Sequence, residues 1–290
     1  MPIIKTGSVV ANSINFHYLE AGSGPLVLCL HGFPDNAHTF KYLLVKLAQA
    51  NFRAVAPFMR GYAPTEVPKD GRYQTSVLAQ DIVELINALG YPKGYLVGHD
   101  WGAQAVYGAA LNNPGKIYKI VTIAAAHKGA SLKRDFDYLR GSWHSYYFQL
   151  PQAEETVAYN DMAFIEDWWR NASPQWDIPS EFLDSVRKTF REPGVIKAAL
   201  DYYRQELNPK LRDPLLEDIE QSMATTAITV PTLAIHGDRD RPKRLDAFQQ
   251  MDSFFSGELK KIVFQGTGHF LHLEKPELTN QTIVEFLKTQ

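Results

Sequence analysis

The chain has 290 residues, of which 45% are hydrophobic and 21% charged, so it can bury a large core as one domain or as one domain with an insertion. A formal net charge of −2 excludes a global field that would attract nucleic acid or an anionic membrane, and no apolar run is long enough to span a bilayer. The single cysteine, Cys29, excludes a disulfide within the chain. With no secretory signal pattern at the N-terminus, we expect a cytoplasmic monomer or homodimer that binds neither nucleic acid nor membrane.

Short apolar segments bounded by Gly, Pro or Asp predict β-strands, and the amphipathic segments between them predict helices. The predicted strands are Ile14–Leu19, Leu26–Leu30, Arg53–Pro57, Gly94–Val97, Lys119–Ala124, Thr232–His236 and Lys261–Phe264. Helices are predicted over Ser76–Leu89 and Pro276–Lys288, where apolar residues recur on one face. Such an alternation is typical of an α/β protein with a mostly parallel sheet flanked by helices.

The strand pattern is interrupted between about residue 129 and residue 228. This interval is rich in aromatic and charged residues, and strand-like apolar runs disappear from it. We therefore predict a core domain formed by residues 1–128 and 229–290. Residues 129–228 are predicted to form a helical cap, inserted between two strands of the same sheet and lying over the strand ends.

The segment Gly98-His99-Asp100-Trp101-Gly102 lies between a predicted strand and a helix-like segment. A nucleophile held at such a sharp turn needs small residues two positions before and two positions after it, and both are glycine here. A serine usually occupies the centre, but a carboxylate is already ionised at neutral pH and can attack an sp³ carbon without a base. Asp100 is therefore a candidate nucleophile that would form an alkyl ester, and it argues against esterase, lipase or peptidase activity.

Further candidates for the chemistry lie just after other predicted strands. Phe33 and Trp101 would supply the two backbone N–H groups of an oxyanion hole. Asp240 and His269 follow the last two predicted strands, so the nucleophile, the acid and the histidine have the chain order of an α/β-hydrolase triad. Asp238, two residues before Asp240, remains an alternative acid. No histidine and carboxylate cluster has metal-binding spacing, so we expect neither a metal ion nor a cofactor.

Together these motifs resemble the α/β-hydrolase superfamily, and within it the chain is similar to the epoxide hydrolases and to the haloalkane and haloacid dehalogenases. The resemblance extends over essentially the whole chain and rests on His31-Gly32-Phe33-Pro34, Gly98-His99-Asp100-Trp101-Gly102, Asp240 and Gly268-His269. It implies an α/β-hydrolase fold with a helical cap. It also implies that an ester forms on Asp100 and is hydrolysed by water that His269 activates, with Asp240 orienting the imidazole.

In the epoxide hydrolases, two residues of the cap hold the oxygen of the epoxide ring. Asp201-Tyr202-Tyr203-Arg204 resembles the segment that carries one of them, and it aligns Tyr203 with this role. The other is carried by a segment that Trp143-His144-Ser145-Tyr146-Tyr147 resembles, and here the alignment gives His144. Tyr146 or Tyr147 takes this position only if the register shifts.

Dehalogenation and ligand binding without turnover are open alternatives. Haloacetate dehalogenases also resemble the chain at Trp-His in the cap, and Trp101 aligns with a halide-binding indole of the haloalkane dehalogenases. However, Ser145 replaces a halide donor, and Trp101 and Gln104 stand where arginines would grip a haloacid. Tyr203 has no role in the haloalkane mechanism, and a binding protein would not require an intact triad. We therefore predict an epoxide hydrolase that acts on a small hydrophobic epoxide and water.

Overall fold

The computed structural model describes residues 2–130 and 135–289, and its centre is an eight-stranded sheet. The strands are β1 (Lys5–Ala11), β2 (Ile14–Ala21), β3 (Leu26–Leu30), β4 (Arg53–Pro57), β5 (Gly94–His99), β6 (Ile117–Ile123), β7 (Thr232–Gly237) and β8 (Leu259–Phe264). Their order across the sheet is β1-β2-β4-β3-β5-β6-β7-β8. The pairs β1–β2 and β2–β4 are antiparallel, and every other pair is parallel, which confirms the predicted fold class.

Each of the predicted strands is present, with ends that differ by no more than two residues. β1 is not among the predicted strands, and it pairs with β2 at the edge of the sheet from Lys5↔Glu20 to Ala11↔Ile14. This strand is largely exposed or half-buried, and only Ala11 is buried. It therefore lacks the apolar run that marks the buried strands.

The described part of the chain contains twelve α-helices. They are α1 (Lys41–Gln49), α2 (Thr75–Ala88), α3 (Trp101–Asn112), α4 (Phe136–Gly141), α5 (Trp143–Tyr147), α6 (Ala153–Ala172), α7 (Ser180–Phe190), α8 (Val195–Leu207), α9 (Glu217–Thr225), α10 (Leu245–Gln249), α11 (Leu271–Glu274) and α12 (Pro276–Lys288). The predicted helix Ser76–Leu89 is α2 shifted by one residue, and α12 has its predicted bounds. Within α6, the backbone leaves the helical conformation at Tyr159–Met162.

Side chains alternate between the two faces of the sheet, and each face carries its own hydrophobic cluster. Leu28 and Leu96 belong to the cluster that includes the buried face of α2. Val27, Cys29 and Val97 belong to the cluster on the other face, which α1 and α12 cover. Because every second residue of β3 is buried on each face, the strand is apolar throughout.

The helices α4 to α9 lie between β6 and β7 in the chain, within the predicted cap. Residues 131–134 of that interval lie outside the described residues, as do Met1 and Gln290. The division into core and cap stays a prediction. No helix among the described residues has the length and apolar composition needed to cross a membrane.

The parallel strands bring their carboxyl ends to one edge of the sheet. The loops after β3, β5, β7 and β8 leave from this edge, and they carry Phe33, Asp100, Asp240 and His269 respectively. In open α/β sheets this edge is where ligands bind. The topology therefore brings together residues that are far apart in the sequence.

Candidate active site

Asp100 lies at a sharp turn between β5 and α3, where its φ is 51° and its ψ is −112°. A positive φ is unfavourable for a residue with a side chain, and it is sustained by the close packing around the turn. A Cβ atom on Gly98 would lie 2.4 Å from the carbonyl oxygen of Gly102, and one on Gly102 would lie 2.0 Å from that of Leu30. Only glycine fits these two positions, as the sequence motif predicts.

The carboxylate of Asp100 is buried, with 3% of its side chain exposed. Its Oδ1 accepts a hydrogen bond from the backbone N–H of Phe33 at 3.1 Å. Trp101 is the first residue of α3, so its N–H is among those that have no partner within the helix. The Phe33 contact lies where the sequence predicts an oxyanion-hole donor, and the Trp101 donor stays a prediction.

His269 lies between Asp240 and Asp100. Its Nδ1 is 2.8 Å from Oδ2 of Asp240, and its Nε2 is 3.7 Å from Oδ2 of Asp100. Asp240 is held in turn by the backbone N–H of Lys243, which donates to Oδ1 at 2.8 Å. The three predicted triad residues are therefore adjacent, with the imidazole oriented by one carboxylate and directed towards the other.

Asp238, the alternative acid, has a different environment. Its Oδ1 accepts hydrogen bonds from the backbone N–H groups of Gly266 at 2.7 Å and Thr267 at 3.3 Å. It therefore ties the loop after β7 to the loop that precedes His269. This geometry favours Asp240 as the partner of the imidazole.

The buried triad places the carboxylates of Asp100 and Asp240 on either side of the imidazole of His269. Burial by itself raises the pKa of Asp100, but the charges of Lys243 and His269 outweigh it and hold this pKa well below its ordinary range. For His269, burial lowers the pKa, but the carboxylates of Asp240 and Asp100 outweigh burial and raise it. Asp100 is therefore ionised at neutral pH, and the charge of Asp100 favours the imidazolium form of His269.

Lys243 is a residue of this site that the sequence analysis missed. Its Nζ lies 3.2 Å from Oδ2 of Asp100, and about a third of its side chain is exposed (33%). Burial lowers the pKa of Lys243, but the adjacent Asp100 carboxylate raises it overall, so the ammonium stays charged. Lys243 lies in the basic stretch Arg239-Asp240-Arg241-Pro242-Lys243-Arg244, which has the composition of a solvated loop. The only sequence signal for a role in the site is that Lys243 follows the candidate triad acid Asp240 by three residues.

Tyr203 on α8 and His144 on α5 lie beside each other, with ring centroids 5.4 Å apart. Tyr203 also contacts Trp101, at a centroid distance of 5.0 Å. Burial and the charge of Asp100 raise the pKa of Tyr203 well above its usual range, so its hydroxyl remains a donor. Burial lowers the pKa of His144 to about 3, so this imidazole is neutral and donates from one nitrogen.

The two alternative cap donors differ from His144 in their surroundings. The hydroxyl of Tyr147 is 2.7 Å from Oγ1 of Thr156, on α6. Tyr146 is half-buried, and neither tyrosine lines the cavity that His144 and Tyr203 share. The geometry therefore favours His144 as the neighbour of Tyr203.

A cavity of about 170 Å³ adjoins the triad. Trp101, His144, Tyr203 and Lys243 line it, together with charged residues such as Glu206. The indole N–H groups of Trp101 and Trp168 have no hydrogen-bond partner among the described residues. Trp169 differs from these two tryptophans in having a hydrogen-bond partner, because its Nε1 donates to the carbonyl of Pro34 at 2.7 Å. Its role is therefore in packing.

Three further polar side chains are buried together beside the nucleophile turn. Ligand atoms of Asp35, His99 and His272 all lie within 4.8 Å of one another. Burial lowers the pKa of His99 to about 3 and raises that of Asp35 to about 7. A proton on the Asp35 carboxyl would let it donate to a neutral imidazole, so the cluster can be satisfied without an ion. His99 also donates from Nε2 to the carbonyl of His269, at 3.0 Å, and thereby supports the triad loop.

The chain is similar to known proteins over most of its length. The alpha/beta hydrolase fold family matches residues 25–276 of the chain. Epoxide hydrolase 3 of Mus musculus is 29% identical over 301 residues, which cover 98% of this chain and 77% of that protein. An epoxide hydrolase of Caballeronia sordidicola is 28% identical, with coverage of 99% and 94%. The crystal structure of epoxide hydrolase VrEH1 from Vigna radiata is 27% identical and has a TM-score of 0.82, with 98% of each chain covered.

Proposed function

This chain belongs to the alpha/beta hydrolase fold family and is epoxide hydrolase-like, and we propose that it converts an epoxide to a vicinal diol through an ester on Asp100. One observation carries the proposal. Oδ1 of Asp100 accepts from the Phe33 N–H, which leaves Oδ2 facing His269 at 3.7 Å. A carboxylate in this position can attack carbon with one oxygen while the other stays on an oxyanion-hole donor.

In the first step, Oδ2 of Asp100 forms a bond to a carbon of the epoxide ring. The bond between that carbon and the ring oxygen breaks, and the oxygen takes the electron pair. Tyr203 and His144 hold this oxygen by hydrogen bonds, and a proton from Tyr203 neutralises it; water then returns a proton to the tyrosine. The product is a neutral hydroxyalkyl ester of Asp100.

In the second step, His269 takes a proton from water, and the water oxygen attacks the carbonyl carbon of the ester. Formation of the ester has removed the charge of Asp100 that raises the pKa of His269, so more of the imidazole is in the neutral form that can accept a proton from water. The N–H groups of Phe33 and Trp101 stabilise the tetrahedral oxyanion. Its collapse releases the diol, which takes the proton from His269, and leaves Asp100 as a carboxylic acid with one oxygen from water. This acid loses its proton to solvent, where the proton neutralises the hydroxide left when water reprotonated Tyr203, and the carboxylate is restored.

The test is mass spectrometry of the His269→Gln variant, incubated in parallel with a small aryl epoxide, a chloroalkane and a haloacetate. Without the base, the ester is expected to form and to persist, and peptide mapping should find a hydroxyalkyl group on Asp100 from the epoxide alone. An Asp100→Asn variant is the control and should form no adduct. Adducts from the halides would move the protein to dehalogenation, and no adduct from any substrate would contradict a covalent mechanism.

Dehalogenation is the second candidate, because two indoles favour it. The N–H groups of Trp101 and Trp168 lack partners among the described residues, and weak donors of this kind suit a halide. Trp168 contacts His144, with ring centroids 5.4 Å apart, and Trp101 lines the same cavity as His144. Tyr203 distinguishes the candidates, since only the epoxide reaction needs its hydroxyl. A non-catalytic role would not require the contact of Asp240 with His269.

The domain arrangement belongs to the same proposal. We take residues 1–128 and 229–290 as the core that carries the triad and residues 129–228 as the cap that supplies Tyr203 and His144. The cytoplasmic location and the monomeric or homodimeric state stay predictions. Size-exclusion chromatography with light scattering tests whether the protein is a monomer or a homodimer.

A further inference from the structure

The ion pair between Lys243 and Asp100 places a cation beside the oxygen that attacks the substrate. Nζ of Lys243 lies 3.2 Å from Oδ2 of Asp100, and Asp100 is its only ion-pair partner among residues 2–130 and 135–289. The backbone of Lys243 is held in place by a hydrogen bond, which its N–H donates to Oδ1 of Asp240. Its ammonium therefore has a defined position relative to the triad.

Other cations that line the cavity are neutralised by carboxylates that take no part in the reaction. Lys128 lies 2.9 Å from Glu206, and Arg244 pairs with Asp246. Lys243 differs, because its partner is the proposed nucleophile. When Asp100 becomes an ester, its charge is lost, and the ammonium of Lys243, whose side chain is two-thirds buried, loses its ion-pair partner and keeps only the longer-range attraction of Asp240.

A neutral substrate would therefore have to separate this ion pair in order to react. A substrate that carries its own anion avoids this penalty, because its negative group replaces Asp100 as the partner of Lys243 while the ester forms. The lysine then has one carboxylate partner in the free protein, which is Asp100, and one in the ester, which is the carboxylate of the substrate. The same exchange would draw the ammonium away from the attacking oxygen and leave the carboxylate more nucleophilic.

We propose that Lys243 is a specificity-determining residue that binds a carboxylate group attached to the epoxide ring, so that the substrates are small α,β-epoxy acids. This inference rests on the proposed epoxide hydrolysis. At the start of the reaction, the attacked carbon lies about 3 to 3.5 Å from Oδ2. A carboxylate on the ring is then within reach of an ammonium 3.2 Å from the same oxygen. The cavity of about 170 Å³ suits a small acid.

The experiment compares two epoxides of the same shape, glycidate and glycidamide, which differ in charge. For the unmodified protein we expect a higher kcat/KM with glycidate. Lys243→Met should lower kcat/KM for glycidate by about 10- to 100-fold, the usual effect of losing a hydrogen bond to a charged group. With glycidamide, kcat/KM should change by a clearly smaller factor, because this substrate has no carboxylate for the lysine to bind.

Two variants control for the loss of charge. Lys243→Arg keeps the cation and should retain most of the preference for glycidate. Lys261→Met removes the same charge from a lysine on β8 that pairs with Asp252, away from the cavity, and should leave the preference unchanged. Inhibition of the unmodified protein by glycerate and glyceramide needs no variant, and glycerate should inhibit at lower concentration.

Equal losses on glycidate and glycidamide in Lys243→Met would overturn the proposal, since they would mean that the lysine only positions Asp100. Equal inhibition by glycerate and glyceramide would also overturn it. The His269→Gln variant distinguishes this failure from that of the proposed function. If that variant traps glycidamide on Asp100 but shows no preference for glycidate, the proposed epoxide hydrolysis stands and the proposed carboxylate specificity is wrong. If neither epoxide gives an adduct, both the epoxide hydrolysis and the carboxylate specificity are contradicted.

Discussion

Replacing Asp240 by Asn should slow hydrolysis of the ester and leave its formation almost unchanged. In the second step His269 becomes positively charged, and Oδ2 of Asp240 lies 2.8 Å from its Nδ1. With charge centres about 4 Å apart and an effective dielectric constant of about 20, this attraction is worth about 4 kcal/mol. Its loss corresponds to a rate that is about 10³-fold lower. Asn cannot replace the charge, although it has nearly the same shape.

A single-turnover experiment with an epoxide separates the two steps. The first phase, which is alkylation of Asp100, should change by less than about tenfold, and the ester should accumulate in Asp240→Asn because the second phase limits turnover. Asp238→Asn is the matched control, since that residue binds the backbone of Gly266 and Thr267. Equal slowing of both phases, or a larger loss in the Asp238 variant, would refute the assignment of Asp240 as the partner of His269.

Three more predictions concern single residues. Tyr203→Phe should slow ring opening by about 10²-fold, measured as the alkylation rate, and leave any haloalkane reaction nearly unchanged; equal losses would contradict its role as the oxygen donor. Gly102→Ala should destabilise the fold by about 4 kcal/mol in urea unfolding, because its Cβ would lie 2.0 Å from the Leu30 oxygen, and a loss below about 1 kcal/mol would be inconsistent with that contact. Burial lowers the pKa of His31 to about 4, and its Nε2 accepts from the Met59 N–H, so the unfolded chain binds the proton first as pH falls below about 6.5. Its contribution to stability, fully present at pH 7, should decrease by about 2 kcal/mol at pH 5, and His31→Gln should remove that part of the pH dependence.

Buried strands and the tight turns that follow them could be predicted from the sequence. β3 is apolar at every position because both of its faces are buried, and the glycines around Asp100 mark a turn where no side chain fits. β1 could not be found in this way, because most of its side chains are exposed or half-buried at the edge of the sheet. The first helix, α1, carries Leu43, Leu44 and Leu47 on its buried face. This spacing is typical of an amphipathic helix, although α1 is not among the predicted helices.

The three triad candidates, Asp100, Asp240 and His269, could be identified from the sequence because each follows a recognisable strand end. Lys243 could not, since nothing in a basic loop indicates which side chain turns inward. Its direction depends on the backbone bond to Asp240 and on the packing of the loops after β5 and β7. The alignment already gives His144 as the first cap residue, and the structure favours it over Tyr147 because His144 lies beside Tyr203 whereas the Tyr147 hydroxyl is close to Thr156.

A single turnover of the unmodified protein in water labelled with oxygen-18 tests the central claim most directly. If Asp100 attacks the epoxide, the labelled oxygen enters the carboxylate of Asp100 when the ester is hydrolysed, and the first diol released contains none. Mass spectrometry of the peptide that contains Asp100 should therefore find one heavy oxygen. Label in the diol and none in Asp100 would mean that water attacks the epoxide directly, and it would contradict the covalent mechanism.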